Sequence, residues 1–151
     1  LRWNTKEKQQ EFRNQIYNSS VIKFGDKLDP IINNKTGVSS YNGISIKAET
    51  PSYPLGSTEI KITITNHSGK EFMYGEAYSI TAQGTDGNWF VVPTDCSFTA
   101  IGHVLSDGQS GTITAHLFPD ILPNNPGVYR FFYEDNIDGN KVLLMATFEL
   151  K

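Results

Sequence analysis

The stretch Asn125-Pro126-Gly127-Val128-Tyr129-Arg130-Phe131-Phe132-Tyr133 reads as a turn that delivers a tyrosine into the start of a strand. Pro126 and Gly127 are turn residues, and the run after them is aromatic and extended. A tyrosine just past such a corner can send its ring into a β-sandwich core and its hydroxyl back to an upstream backbone group, pinning the crossover between two sheets. Strand side chains alternate, so Phe131 shares the inward face of Tyr129, and both are assigned structural roles. Arg130 and Phe132 then point outward. An outward phenylalanine needs a cover, and the expected cover is the front of the chain, around Phe12, Ile16 and Tyr17, with the Arg130 guanidinium pairing to an acidic or carbonyl group.

Working outward from the corner, the period-two pattern recurs. Asp138-Gly139 predicts a hairpin into a last strand whose Val142, Leu144, Ala146, Phe148 and Leu150 share one face. Upstream, Ile113, Ala115 and Leu117 alternate with Thr112, Thr114 and His116, after a turn at Asp107-Gly108 and a short strand expected around Phe98 and Ile101. Asp86-Gly87 joins a strand over residues 78–83 to Trp89-Phe90-Val91-Val92, which Pro93 ends. Asn66-His67-Ser68-Gly69-Lys70 turns the chain into a strand over residues 71–74. Ile60, Ile62 and Ile64 alternate with Lys61, Thr63 and Thr65, and Ile44, Ile46 and Ala48 alternate with Ser45, Lys47 and Glu49. Between these two strands, the segment from Pro51 to Gly56 reads as a break. Strands at intervals of roughly 8–12 residues, with no helices between them, predict an all-β antiparallel sandwich.

Residues 1–40 differ in kind. They are polar and poor in β-branched side chains, and Asn4 with Glu7 three positions on resembles a capping box. A helix over about residues 5–17 is predicted, with a thin apolar seam of Phe12 and Ile16, docking on the sandwich. The competing reading is a linker, since Asn18-Ser19-Ser20, Asp29-Pro30 and Asn33-Asn34-Lys35-Thr36-Gly37 all resemble loops. The domain reading is therefore 1–40 as helix and linker packing on the sandwich, and 41–151 as the sandwich itself.

Over about residues 43–150 the chain resembles a family of bacterial immunoglobulin-like domains found in cell-envelope and secreted proteins. The resemblance rests on Pro51-Ser52-Tyr53-Pro54, Glu59 through Asn66, Phe72 to Tyr78 around Gly75, Trp89, Phe98, Pro126-Gly127-Val128-Tyr129-Arg130 and the closing Ala146-Thr147-Phe148-Glu149. It implies a seven- to nine-stranded immunoglobulin-like β-sandwich serving as a spacer or adhesive module, without a catalytic site to carry over. In antibody-type domains the position of Phe131 holds the second cysteine. Residues 1–40 lie outside the resemblance.

Composition narrows the functional classes. The 151 residues suit one domain with a core of its own. A net charge of −3 with scattered lysines gives no electrostatic footprint for nucleic acid or an anionic membrane. No apolar run approaches the roughly 18 residues of a membrane span. The single cysteine, Cys96, excludes an internal disulfide and a zinc site built on thiolates. The chain begins at Leu1, and the expected location is secreted or in the cell envelope, with the leader outside this chain.

Candidate chemistry is sparse. Glu134, Asn136 and Asp138 mimic the first half of a calcium loop, but Met145 stands where a bidentate glutamate is needed, so a polar hairpin tip is preferred. His67, His103 and His116 lack metal-ligand spacing and read as surface residues. Cys96 and His103 carry no nucleophile motif, and a buried structural thiol is preferred. Gly108-Gln109-Ser110-Gly111 reads as a turn into a strand rather than a nucleophile elbow. The Asn-x-Ser/Thr triplets beginning at Asn18, Asn34 and Asn66 bear on function only in a eukaryotic secretory chain. No cofactor is expected. The aromatic residues carry the binding hypotheses: Tyr53, Trp89, Arg130 and Phe132 are the candidate contacts for a partner protein or a glycan. The leading function is a non-enzymatic extracellular module, spacer or protein-binding. The alternative is a carbohydrate-binding module that uses exposed aromatic rings such as Trp89 or Tyr53.

Overall fold

A computed structural model describes residues 31–94 and 101–151. Among them are eleven strands and no helix: β1 (Ser40–Tyr41), β2 (Ile44–Ala48), β3 (Ser52–Tyr53), β4 (Glu59–Asn66), β5 (Phe72–Tyr74), β6 (Ser79–Gln83), β7 (Trp89–Val92), β8 (His103–Leu105), β9 (Ser110–His116), β10 (Gly127–Ile137) and β11 (Asn140–Leu150). They form a four-stranded sheet in the order β1-β2-β4-β9, a five-stranded sheet in the order β3-β11-β10-β6-β7, and a β5-β8 ribbon. The helix predicted over residues 5–17 lies outside the described residues, as do Cys96 and Phe98. Ile101, expected in a strand, is 57% exposed and precedes β8.

The alternation read from the sequence decides which side of each strand is dry. Ile44, Ile46, Ala48, Ile60, Ile62, Ile64, Ile113 and Ala115 form the buried face of the first sheet, and Ile80, Tyr129, Phe131, Tyr133, Leu144, Ala146, Phe148 and Leu150 that of the second. Rings fill the space between: Tyr129 stacks on Phe148 with centroids 5.3 Å apart, and Tyr78 on Phe131 at 5.5 Å. Asn66, fully buried at the end of β4, is satisfied on all sides. Its Nδ2 donates to the carbonyls of Lys70 (2.7 Å) and Leu105 (2.9 Å), and its Oδ1 accepts from the backbone and hydroxyl of Ser68.

Hairpin geometry follows turn chemistry. Asp138 and Gly139 have φ of 51° and 81° and connect Ile137 directly to its partner Asn140, as a two-residue primed turn requires. Asn42 and Gly43 (47° and 84°) repeat that turn between β1 and β2, and a Cβ on Gly43 would press into the His67 backbone. The Asp86-Gly87 hairpin forms with a longer connection, residues 84–88.

Two features depart from the sequence reading. Inside the expected break, Ser52 and Tyr53 form β3, parallel to Glu149 and Leu150, so the sandwich is not wholly antiparallel. The outer side of β9 is met by tyrosine hydroxyls, Tyr78 accepting the His116 N–H at 2.7 Å and Tyr74 bonding the Thr112 backbone. Those bonds occupy part of an edge that would otherwise template another strand.

Candidate functional site

The corner that organises the sequence is present. The Tyr129 hydroxyl donates to the Asn125 carbonyl at 2.7 Å and accepts the Asn125 N–H at 3.1 Å. Burial pushes the hydroxyl pKa up, and the bond to Asn125 partly offsets this. Tyr129→Phe is expected to cost about 1–3 kcal/mol, the range for stranding buried polar partners. A neutral result in equilibrium denaturation would show that the hydroxyl does not hold the corner.

On the opposite face of the same strand, sequence alternation places Arg130 and Phe132 outside the core, and the structure shows what lies over them. Residues 31–38 cross the outer face of the five-stranded sheet from one edge to the other. At the β7 edge, Val91 N–H donates to the Ile31 carbonyl (2.8 Å), Asn33 N–H to the Trp89 carbonyl (2.7 Å), and Trp89 N–H to Asn34 Oδ1 (2.7 Å). Over β6, Lys35 Nζ donates to Ser79 Oγ at 2.7 Å. Over β10, that Nζ sits 4.6 Å from the Phe132 ring centroid, while Arg130 donates to the Lys35 carbonyl at 3.3 Å. At the β11 edge, Val38 N–H donates to the Leu143 carbonyl (3.0 Å) and Met145 N–H to the Val38 carbonyl (2.8 Å). The strap passes close enough that a Cβ on Gly37 would strike the Leu143 carbonyl.

This arrangement bears on the candidate contacts. Phe132 is 1% exposed and Trp89 9%, and the Arg130 guanidinium lies 3.8 Å from the Trp89 ring centroid. The expected guanidinium partner is a carbonyl, that of Lys35. Burial lowers the Lys35 pKa, partly offset by Glu134. The cover described by the structure is thus residues 31–38; Phe12, Ile16 and Tyr17 lie outside the described residues. Trp89, Arg130 and Phe132 come together, but as the floor beneath a strap and not as an open contact surface. Tyr53 stands apart beside β11: its ring meets Phe148 edge-on at 5.9 Å and its hydroxyl donates to the Lys61 carbonyl at 2.9 Å. Trp89 is not the exposed platform that the glycan reading requires. Flat stacking needs an uncovered ring face, and the guanidinium occupies that of Trp89.

The remaining candidates have local partners. Asp138 accepts from Lys70 and from Asn42 Nδ2, bonds that hold its carboxyl below the usual range. Among the described residues no three His, Cys, Asp or Glu side chains gather as a metal site. His103 stacks on Tyr74 at 5.0 Å and pairs with Glu76 Oε1 at 3.0 Å. Sequence reasoning missed a cleft of about 620 Å³ beside the corner, between the β6–β7 hairpin and residues 122–126. Phe90, Val92, Leu122, Pro126 and Tyr129 supply apolar lining; Asp86, Asn124 and Asn125 supply polar groups. Its components are distant in sequence, and no motif unites them.

Residues 40–148 match the family described as a bacterial Ig-like domain, and residues 1–27 match one described as a Pro-like C-terminal domain. No curated protein matches the chain. Among solved structures, the chain is similar to the Pseudomonas fluorescens alkylpurine DNA glycosylase AlkC bound to DNA containing an abasic site analog, with 15% identity, 76% of this chain and 32% of that one covered, and a TM-score of 0.39. It is also similar to a beta-glucosidase from Listeria innocua, at 15% identity, 73% of this chain and 16% of that one, and a TM-score of 0.38. A β-glucosidase from Erythrobacter marinus is similar at 11% identity, with 70% and 15% covered and a TM-score of 0.37. The chain thus spans a third or less of the length of these structures. With the family match running from β1 into β11 over most of the chain, this protein belongs to the bacterial Ig-like domain family.

Proposed function

We propose that the protein is a non-enzymatic extracellular module that works as a load-bearing spacer in a secreted or cell-envelope setting. The observation that supports this reading is the placement of Val38. It pairs in parallel with Leu144 of β11, the last strand, through the bonds at Leu143 and Met145. Tension drawn through the front of the chain and through its C-terminal end pulls these parallel neighbours past each other. Their hydrogen bonds are loaded together, whereas an antiparallel hairpin pulled from its open end releases them one by one. A protein partner, if the module holds one, would find apolar surface on the β5-β8 ribbon, where Met73 and Val104 are paired and 64% and 52% exposed.

The spacer reading is tested by pulling single molecules through their termini. Forced unfolding reads the unfolding barrier, so a change confined to the loaded contact registers directly. Val38→Pro removes the N–H that bonds Leu143, at an equilibrium cost of about 0.5–1.5 kcal/mol for the bond itself. The unfolding force is expected to drop clearly, well beyond what that modest loss produces in chemical denaturation. Equal forces for the variant and the parent chain would remove the support for a load-bearing role.

A further inference from the structure

The cleft beside the tyrosine corner has the chemistry of a site, and its groups differ in how firmly they are held. Two acceptors are fixed. Asn124 spends both protons of its Nδ2 on the carbonyls of Leu55 (2.8 Å) and Ser57 (3.0 Å), which orients its Oδ1 as a remaining acceptor. The Asp86 carboxylate accepts from the Asn88 backbone at 3.0 Å and from Asn88 Nδ2 at 3.1 Å, and each oxygen keeps a further lone pair.

One further amide has spare capacity. Asn125 is held only through its backbone, by Tyr129, and its side-chain amide makes no hydrogen bond among the described residues. Gln83 pairs with Trp89 across the β6–β7 hairpin, so its side chain shares the outer face, opposite Phe90 and Tyr129, and bonds the Gly87 carbonyl at 3.5 Å. Between these groups the surface is apolar, with the rings of Phe90 and Tyr129 and the flat prolines Pro123 and Pro126. Among the described residues no lysine, arginine or histidine lines the cleft. Phosphate and other anions would therefore meet a carboxylate and no cation, so they are the wrong ligands for it.

A cleft of about 620 Å³ falls within the roughly 300–1,000 Å³ typical of ligand sites. Fixed acceptors combined with an adaptable amide suit a ligand whose hydroxyls both donate and accept, and apolar faces between them suit the C–H faces of a pyranose. We propose that this cleft binds a short neutral oligosaccharide, with Asp86 and Asn124 accepting from its hydroxyls, Asn125 closing on it, and Phe90 and the prolines meeting its ring faces. Preorganised acceptors lower the ordering cost of such binding. The site is distinct from Trp89 and Tyr53, and its occupancy is independent of the load-bearing role.

The test is an amide-shift NMR titration of the full 151-residue chain with four neutral tetrasaccharides, namely maltotetraose, cellotetraose, xylotetraose and chitotetraose, and with n-butylamine as a small cation. Saturable shifts at residues 82–86, 90–92 and 122–129 are expected for at least one of the sugars. The variant Asn125→Ala removes a side chain that holds nothing essential to the fold, so its spectrum should stay dispersed. Its affinity for that sugar should fall at least tenfold, or about 1.4 kcal/mol. The proposal is overturned if no sugar shifts these residues, if the Asn125→Ala variant binds as the parent does, or if butylamine perturbs the cleft more strongly than every sugar. The titration of the parent chain alone can produce the first and third of these outcomes, so a folding defect in the variant would not protect the proposal.

Discussion

Phe132→Ala is expected to destabilise the domain by about 3–5 kcal/mol, the cost of emptying a large buried site. An outward ring on a solvated sheet face would cost far less, since surface substitutions usually fall within ±0.5 kcal/mol. The two faces of the sandwich explain the difference. The outer face of the four-stranded sheet carries Ser45, Lys47, Lys61, Thr63 and Thr65, all exposed or half-buried, and it needs no cover. The outer face of the five-stranded sheet carries Trp89 and Phe132, which are dry because residues 31–38 lie across them. Removing the Phe132 ring opens a cavity under Lys35, whose ammonium then loses its aromatic neighbour. Urea denaturation of parent and variant measures the effect. A loss below about 1 kcal/mol would place Phe132 among surface residues and would mean that the strap does not pack on it.

The sandwich was readable in the sequence because its information is local. Period-two alternation marked the dry face of β2, β4, β9, β10 and β11, and the Asp138-Gly139 pair marked a hairpin that needs positive φ at both positions. Asn42-Gly43 carries the same signal, which the sequence reading left unused. Tyr129 was legible because a corner tyrosine and its partner lie four residues apart. The strap was only half legible. Alternation required a cover over Phe132, but nothing local distinguishes Asn34-Lys35-Thr36 as a crossing from an ordinary loop, because its partners are Ser79, Trp89 and Arg130. An exposed Trp89 was the condition of the glycan reading, and no local signal decides it: whether a strand residue is covered depends on what lies on its face, and the covering residues are more than 50 positions away. The cleft was illegible for a similar reason, since two loops distant in sequence build it around the corner.

A chain shortened to begin at Tyr41 is expected to stay folded but lose roughly 3–6 kcal/mol, the burial of two rings at about 1.5–3 kcal/mol each. It should stay folded because, among the described residues, the buried cluster between the sheets draws on none before Tyr41. It should also change its association. Losing the strap uncovers Trp89 and Phe132 and frees the backbone of β7 at Trp89 and Val91 and of β11 at Leu143 and Met145. Apolar surface flanked by two unpaired strand edges is a template for self-association. The shortened domain should therefore bind a hydrophobic dye and form oligomers in size-exclusion chromatography. A second chain beginning at Ile31 separates the strap from everything before it: it keeps every contact described for residues 31–38, and it should remain dye-silent and monomeric. If both shortened chains expose the face, the cover extends to residues before Ile31, as the sequence reading of Phe12, Ile16 and Tyr17 expects. If neither does, the outer face tolerates solvent without the strap, and Phe132 and Trp89 return as candidate contacts for a partner.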